Sequence, residues 1–199
     1  MDLIQMAEKE KKPEEDAGGM MSHVLSSRTV VISAAVDSVL AAKTIQQLVI
    51  LDHHDSTKPI TVLVNSPGGE LYSGFAIFDV LRFISAPVIT VVVGLAASMG
   101  SIIPLAAPKG SRYALPNSKF LIHQPLLMGY QGKATDLEIQ AREILRDRER
   151  IVELYADVTG RKQDLIAKDI DRDNWLTPSE ALEYGLIDKI ITSRTEIKS

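Results

Sequence analysis

The chain has 199 residues, of which 45% are hydrophobic and 24% carry charge, and its formal net charge at pH 7 is -4. This length favours a single domain with a core of ordinary size, and the acidic balance provides no basic surface for binding nucleic acid. Because the chain contains no cysteine, disulfides, thiolate nucleophiles and cysteine-based zinc sites are excluded.

The amino-terminal residues 1–27 are predicted to form a mobile arm. Residues 7–19 (AEKEKKPEEDAGG) are highly charged, are interrupted by proline and end in two glycines, a composition that rarely packs. The chain does not open with the basic segment and apolar run of a signal peptide. We therefore expect a soluble, cytoplasmic protein whose single folded domain spans residues 28–199.

Strand and helix patterns then alternate along the first half of the domain, as β-branched runs and helical spacing of apolar residues indicate. The predicted elements are a strand at 28–32, a helix at 36–52, a polar loop at 53–59, a strand at 60–64, a turn at 65–69 and a helix at 71–83. Prolines and glycines interrupt the most apolar stretch, residues 86–107. We therefore interpret this stretch as a strand, a sharp turn and a helix from Ser98 rather than as a membrane span.

The second half of the domain continues with two short strands, a long helix, a short capped helix and a final strand. Their predicted positions are residues 113–115, 120–122, 135–158, the segment that begins at Thr177, and residues 187–191. Gly160 is a typical residue just past a helix end, and Thr177 followed by Pro178 is a typical helix start. The alternation predicts an α/β domain with a largely parallel sheet.

Ser98 lies in the sequence GLAASMGS (94–101), between an apolar strand pattern and an apolar helix pattern. A serine at a tight strand-to-helix turn exposes its hydroxyl, and the first N–H groups of the helix lack intrahelical partners and favour negative charge. This arrangement suits a nucleophile beside part of an oxyanion hole. Small residues at such a turn also serve close helix–sheet packing, so the motif alone leaves both interpretations open.

A serine nucleophile needs a general base, and the chain has four histidines. His23 lies in the arm, and His53 and His54 lie in the predicted polar loop, where solvated surface histidines are expected. His123 follows the apolar strand at 120–122, so it is either the base or a hydrogen-bonded structural histidine.

The third member of such a set is a carboxylate that orients the imidazole. Asp169, Asp171 and Asp173 cluster in one segment, and spacing alone does not choose among them. The sequence NSPGG at 65–69 is either an ordinary tight turn or a loop that points backbone N–H groups into a cleft. The segment DHHD at 52–55 has the residue types of metal ligands, but a polar loop is the better interpretation.

Taken together, these segments resemble the ClpP family of self-compartmentalised serine peptidases. The stretches that carry the resemblance are NSPGG (65–69), GLAASMGS (94–101), RYALPNS (112–118), IHQP (122–125), QGKATDLEIQAREIL (131–145) and DRDNWLTPSEALEYGLID (171–188). They follow the family's order and spacing over nearly all of the predicted domain.

The resemblance implies the α/β ClpP/crotonase-like fold, with a head domain and a protruding helical handle at about residues 131–158. The implied site residues are Ser98 as nucleophile, His123 as base, Asp173 as triad acid, the backbone N–H groups of Gly69 and Met99 as oxyanion hole, and Arg172 as a ring–ring contact. The resemblance therefore implies a serine endopeptidase that degrades unfolded proteins to short peptides.

The resemblance also implies partners. Family members form two stacked heptameric rings and receive unfolded chains from a hexameric Clp ATPase such as ClpX, ClpA or ClpC. We expect no cofactor or metal on this chain, because ATP is used by the partner ATPase. Neither nucleic acid nor membrane is an expected partner.

Three segments depart from the family pattern. The charged arm replaces the usual apolar axial hairpin, and Thr61 and Leu63 stand where tyrosines often line the pocket that docks the ATPase. One extra residue lies within 126–130, beside the expected substrate-binding strand. These departures lead to the hypothesis of a divergent paralogue that assembles with a second ClpP-like subunit.

Two other functions are compatible with the same fold. One is a catalytically weak structural subunit of a heteromeric Clp barrel, which the complete Ser-His-Asp set disfavours. The other is a crotonase-group enzyme that acts on acyl-CoA thioesters. Such an enzyme needs no Ser-His-Asp set, so we rank this function lowest.

Overall fold

The structure is a computed structural model, and it describes Gly19, residues 23–126 and residues 132–197. Most of the predicted arm, and nearly all of the segment expected to hold an extra residue, lie outside the described residues. The described elements, in chain order, are β1 (Thr29–Ile32), α1 (Ser38–His54), β2 (Ile60–Ser66), α2 (Leu71–Phe83), β3 (Val88–Ala97), α3 (Met99–Ile102) with a 3₁₀ turn (Ile103–Ala106), β4 (Arg112–Ala114), β5 (Lys119–Ile122), α4 (Ala134–Thr159), α5 (Gln163–Asp169), β6 (Asn174–Leu176), α6 (Pro178–Tyr184), β7 (Lys189–Ile190) and a 3₁₀ turn (Arg194–Glu196).

The strands form one sheet that is mostly parallel. β1, β2, β3, β4 and β7 lie side by side in that order, and each neighbouring pair is parallel. The 10-residue strand β3 pairs with β4 through residues 90–92 and with β5 through residues 95–97. β6 joins β5 in the antiparallel sense. The predicted α/β fold with a largely parallel sheet is confirmed.

The core lies where the sheet packs against its helices. β2 alternates between buried and less buried positions, whereas the first five residues of β3 are all buried, as expected for a central parallel strand covered on both faces. Leu48 of α1 and Ile77 of α2 are completely buried against this sheet. Burial of each such side chain stabilises the fold by about 1.5–3 kcal/mol relative to leaving it exposed. Burial of these faces of α1 and α2 therefore holds the two helices against the sheet.

Helix α4 covers the residues predicted to form the handle. It has 26 residues, but its buried residues are Ile151, Val152 and Tyr155, all in its carboxyl-terminal third. Leu145, nearer its start, is 57% exposed. The helix ends at Gly160, whose φ of 72° is the left-handed conformation that glycine adopts most readily at this position. α4 is therefore buried against the domain mainly through its carboxyl-terminal third.

The structure corrects several predicted boundaries. α1 extends through His53 and His54, so the prediction that these residues lie in a loop was wrong; histidines are compatible with the last turn of a helix. β3 continues to Ala97, and the predicted helix at 98–107 divides into α3 and a 3₁₀ turn around Pro104, which has no N–H to donate. α5 and β6 were not predicted, because short polar segments carry little periodicity. No helix in the described part of the chain is long and apolar enough to cross a membrane.

A buried ion pair joins β4 to the loop that precedes β7. Arg112 donates through Nη2 to Oδ1 of Asp188 at 2.7 Å, and Oδ2 of Asp188 accepts from Arg112 Nε and from the backbone N–H groups of Gly110 and Arg112. The two side chains are only 3% and 14% exposed. Burial alone would raise the pKa of the Asp188 carboxyl, but the hydrogen bonds from Arg112 and Gly110 outweigh it and lower that pKa.

We predict that Asp188→Asn lowers the free energy of unfolding at neutral pH by about 3 kcal/mol, because it leaves a buried guanidinium without its counter-charge. A carboxyl with a lowered folded-state pKa stabilises the fold above its unfolded pKa of about 3.9, and this stabilisation is lost as the pH falls through the folded value. The difference in melting temperature between wild type and variant should therefore shrink from about pH 5 to about pH 2. Circular dichroism melts across this range measure it.

Glu138→Gln is the matched control, because it removes a carboxylate from an exposed pair with Arg142 whose side chains are 68% and 63% exposed. This change should cost less than about 0.5 kcal/mol. Equal melting temperatures for wild type and Asp188→Asn at neutral pH would contradict the prediction.

Candidate active site

Ser98 is the single residue between β3 and α3, and its backbone is strained. Its φ of 54° and ψ of -125° lie outside the regions that residues with side chains favour, a conformation that costs about 1–3 kcal/mol and clusters at functional sites. The Ser98 N–H donates to Leu121 O at 2.9 Å, and its carbonyl accepts from the N–H and the hydroxyl of Ser101 at 2.9 and 2.6 Å. Both ends of the residue are therefore held by hydrogen bonds.

Glycines allow the loop after β2 to approach the Ser98 turn closely. A Cβ at Gly68 would lie 2.6 Å from Ser98 Cβ and 2.5 Å from Ala97 O, and Gly68 has a φ of 87°. A Cβ at Gly100 would lie 2.5 Å from Ser66 O. The NSPGG and GLAASMGS segments are therefore in direct contact, and their glycines serve this contact.

Two backbone N–H groups flank the Ser98 turn. Gly69 forms a parallel bridge with Val36, in which Val36 N donates to Gly68 O and Glu70 N donates to Val36 O. Gly68 O and the Gly69 N–H belong to one trans peptide group and point to opposite sides of it. Since Gly68 O points to Val36, the Gly69 N–H points away from Val36. Met99 is the first residue of α3, where the N–H has no intrahelical partner. Gly69 and Met99 line the same cleft as Ser98.

His123 lies just past β5, and its Nδ1 is 3.0 Å from Oδ1 of Asp173. The ring is largely buried, with 14% of the side chain exposed, whereas Asp173 is 64% exposed. The antiparallel pairing of β5 with β6 and the hydrogen bond from Gln124 N to Ile170 O at 2.7 Å bring the Asp173 segment alongside His123. A carboxylate at Nδ1 leaves Nε2 as the basic nitrogen of the neutral ring.

Ser98 and His123 line one cleft with a volume of about 1060 Å³. Among the described residues, no hydrogen bond joins the Ser98 hydroxyl to the His123 ring. Such contacts are often long in enzymes without substrate and tighten in the Michaelis complex.

The remaining candidates lie apart from this group. Asp169 accepts a hydrogen bond from Tyr184, and Asp171 lies next to Gln124 and Arg172, so Asp173 is the member of the three that contacts His123. His53 and His54 are exposed at the end of α1.

The candidate metal segment at 52–55 has its carboxylates engaged elsewhere. Asp52 accepts from the Ala86 N–H, and Asp55 accepts from Thr57 and pairs with Lys58. Within the described ranges, no group of three or more potential ligands is arranged to hold a metal ion.

The cleft has an apolar floor and an acidic rim. The apolar lining includes Leu71, Met99, Ile102, Pro125, Leu126, Ile144 and Ile151, and the carboxylates are Asp37, Glu70, Glu143 and Asp147. No lysine or arginine is found among the described residues of the lining. Tyr72 donates to Asp147 at 3.1 Å, and this bond, with the charges of Asp147 and Glu143, raises the pKa of the Tyr72 hydroxyl. The four carboxylates therefore favour a negative potential at the rim, which the nearby Arg150 charge partly offsets.

Comparison with known proteins adds independent evidence. The family model for Clp protease matches residues 12–194. The chain is 50% identical over 188 residues to ATP-dependent Clp protease proteolytic subunit 1 of Protochlamydia amoebophila. The matched region covers 94% of this chain and 91% of the relative. The chain is also 44% identical over 198 residues to ATP-dependent Clp protease proteolytic subunit 2 of Treponema denticola, and this match covers 99% of the chain and 98% of the relative.

A serine at a strained turn, two neighbouring backbone N–H groups and an aspartate-paired histidine at one cleft are the parts expected of a serine hydrolase site. The chain belongs to the Clp protease family. It is a serine-type endopeptidase of the ClpP type, and the resemblance predicted from the sequence motifs is confirmed.

Sequence reasoning missed the residues that hold the Ser98 turn in place. These are Leu121, which accepts from the Ser98 N–H, and Ser101 with Tyr155, which hold its carbonyl. The one available signal was Tyr155, a residue with a polar end in the buried stripe of α4, because a buried tyrosine hydroxyl requires a partner.

We predict that Gly68→Ala strongly reduces peptidase activity, because the new methyl group would overlap Ser98 and displace its turn. A loss of at least about 100-fold in kcat/KM is expected from a displacement of this size at a reacting group. Hydrolysis of a fluorogenic peptide measures it.

Gly110→Ala separates this overlap from backbone strain. Gly110 has a φ of 94°, close to that of Gly68, but a Cβ there has nothing within 4 Å. Gly110→Ala should lower the free energy of unfolding through backbone strain. Its activity should stay within about twofold of wild type, because Gly110 does not line the cleft. Comparable activity losses in the two variants would contradict the prediction.

The acidic rim predicts a preference for peptides with a lysine or arginine near the scissile bond. Asp147→Asn should reduce the kcat/KM ratio between a lysine-containing and a leucine-containing peptide by about 3- to 10-fold at low salt, and less at high salt. Asp157→Asn, on the same helix but outside the described lining, is the control and should leave the ratio unchanged. If neither Asp147→Asn nor added salt changes the kcat/KM ratio between the two peptides, the acidic rim does not contribute to substrate specificity.

Proposed function

We propose that this chain cleaves peptide bonds with Ser98 as nucleophile, His123 as general base and Asp173 as the carboxylate that orients the ring. The observation that carries the proposal is the 3.0 Å contact between His123 Nδ1 and Asp173 Oδ1, at a cleft shared with the strained Ser98 turn. With the Nδ1–H donated to Asp173, Nε2 has a free lone pair and accepts the hydroxyl proton.

In the first half-reaction, Ser98 Oγ attacks the carbonyl carbon of the substrate while His123 takes the hydroxyl proton. The tetrahedral intermediate collapses when His123 gives this proton to the leaving amine, and the carbonyl carbon stays bound to Ser98 as an ester. A water molecule then attacks the ester while His123 takes its proton. The bond to Ser98 Oγ breaks as His123 returns this proton to Oγ, and the carboxylic acid product is released. The imidazolium that forms in both steps is stabilised by the Asp173 carboxylate.

The Gly69 and Met99 N–H groups are proposed to bind the oxyanion of the tetrahedral intermediate. Support comes from their position in the cleft beside Ser98, and from the orientation of Gly69 away from Val36. Loss of one such donor typically costs about 10²–10³-fold in kcat, so these two peptide groups would supply a large share of the rate enhancement.

We further propose that the chain works in an assembly with a Clp ATPase. The relatives are named as proteolytic subunits of ATP-dependent proteases, and large apolar side chains of α4 are exposed, among them Leu137, Ile139 and Leu145. Two stacked heptameric rings, a cytoplasmic location and a hexameric partner such as ClpX, ClpA or ClpC fit this proposal. Arg172, 93% exposed beside Asp171, is accessible for the ring–ring contact.

The alternatives predict other behaviour. An acyl-CoA enzyme of the crotonase group would not need His123 paired with Asp173, and a purely structural subunit would need no reactive serine. Both relatives are named proteolytic subunits, which favours the peptidase over the structural role. A second ClpP-like subunit in the ring stays a hypothesis, motivated by Thr61 and Leu63.

Mass-resolved labelling with a fluorophosphonate tests the proposal on the purified full-length chain. We expect a single adduct on Ser98, no adduct in Ser98→Ala, and labelling at least about 1000-fold slower in His123→Ala, because the hydroxyl is a weak nucleophile without its base. His54→Ala is the matched control, because it removes an exposed histidine at the end of α1 and should label at the wild-type rate.

The same labelling is repeated after mixing with a second ClpP-like subunit and with a Clp ATPase. Labelling of the isolated chain at the full rate would refute the need for a second subunit, whereas labelling only in the mixture would support a heteromeric, partner-activated peptidase. Failure to label under all these conditions would refute Ser98 as the nucleophile.

A further inference from the structure

A chain of hydrogen bonds runs from α4 to the backbone of Ser98. Tyr155 is 1% exposed, and its hydroxyl lies 2.8 Å from Ser101 Oγ. Ser101 Oγ in turn lies 2.6 Å from Ser98 O. Ser101 is itself buried at 2% exposed, so this is a short buried polar path between the end of the long helix and the nucleophile turn.

The direction of these hydrogen bonds follows from the number of hydrogens. A carbonyl oxygen only accepts, so Ser101 donates its single hydroxyl hydrogen to Ser98 O. The Ser101 oxygen is then the acceptor in its contact with Tyr155, and Tyr155 is the donor. Burial raises the pKa of the Tyr155 hydroxyl, against the opposing effect of its bond to Ser101, so this donor keeps its proton through the physiological pH range.

The Ser98 carbonyl, which accepts the last of these hydrogen bonds, belongs to the same peptide group as the Met99 N–H. A peptide group is a rigid plane, so fixing the direction of the Ser98 C=O also fixes the direction of the Met99 N–H on its opposite side. Hydrogen bonds in sequence polarise one another, so donation to the carbonyl also strengthens the N–H as a donor. Ser98 needs this support because its backbone is in a disfavoured conformation.

We propose that Tyr155 is a positioning residue for catalysis: through Ser101 it holds the Ser98–Met99 peptide plane so that the Met99 N–H points at the oxyanion. The inference rests on the proposed roles of Ser98 and Met99. It makes the buried end of α4 part of the catalytic machinery, and it couples the orientation of this helix to the oxyanion hole. Ile151, one turn earlier on α4, lines the cleft itself.

Tyr155→Phe is the direct test, because it removes one oxygen and keeps the packed ring. We expect kcat for a fluorogenic peptide to fall about tenfold with KM within twofold, a smaller loss than the 10²–10³-fold typical when an oxyanion donor is deleted. A peptidyl boronate, whose adduct with serine is tetrahedral, should bind about tenfold more weakly, following the loss in kcat.

Tyr184→Phe is the matched control. Tyr184 is also buried, at 7% exposed, and its hydroxyl makes one side-chain hydrogen bond, to Asp169 at 2.8 Å. This variant should lose a similar amount of thermal stability while kcat and boronate affinity stay within twofold of wild type. Both variants are assayed as the assembled protein, below their melting temperatures.

Ser101→Ala removes the middle hydroxyl of this series of hydrogen bonds, and it provides the test if Tyr155→Phe does not fold. The double variant Ser101→Ala/Tyr155→Phe should lose no more activity than Ser101→Ala, since both changes act through the same carbonyl. Unchanged kcat and boronate affinity in Tyr155→Phe, or losses in Tyr184→Phe as large as those in Tyr155→Phe, would overturn the inference. Activity that persists in Ser98→Ala would instead refute the proposed function, which distinguishes the two failures.

Discussion

The strained backbone of Ser98 is the constraint on which the rest of the site depends. A residue with a side chain adopts a φ of 54° and a ψ of -125° only where its surroundings hold it there. Here β5 accepts from its N–H, and Ser101 donates twice to its carbonyl. This turn places the hydroxyl at the end of β3 and starts α3 immediately, so that the Met99 N–H has no intrahelical partner. The proposed nucleophile and the proposed Met99 oxyanion donor are therefore consequences of one backbone conformation.

The architecture of the sheet supplies the remaining parts of the site. β3 is long enough to pair with β4 near its start and with β5 near its end, and this division leads β5 past the Ser98 turn. β5 carries the chain directly to His123, and β6, paired with β5, carries Asp173 to the same place. The loop after β2 brings Gly69 from the other side through its bridge with Val36. Gly69, Ser98 and His123 thus reach one cleft from three separate chain segments, and Asp173 reaches His123 from a fourth.

Helix α4 joins the buried surroundings of Ser98 to an exposed apolar surface. Its buried carboxyl-terminal third contributes Ile151 to the cleft and Tyr155 to the hydrogen-bond chain that ends at Ser98, whereas exposed apolar side chains lie nearer its start. A helix of 26 residues is about 39 Å long at 1.5 Å per residue. A helix of this length would give packing between subunits of the proposed assembly a physical route to the residues around Ser98.

The sequence by itself determined the class of fold and the family. Helical and strand periodicity located most of the elements, and the spaced motifs singled out Ser98, His123 and the Asp169–Asp173 segment. Residue patterns failed in short polar segments, where periodicity is weak: β6 and α5 were missed, and the end of α1 at His53 and His54 was predicted as a loop. Spacing also did not choose among three aspartates. The family resemblance named Asp173 as the triad acid, and the structure shows its contact with His123. Only the tertiary structure decided that Gly68 packs on Ser98 and that Tyr155 reaches Ser98 across 57 residues of sequence through Ser101. The physical reason is that local patterns record which residues are buried, whereas a hydrogen bond between distant segments depends on strand register and helix packing that no local pattern contains.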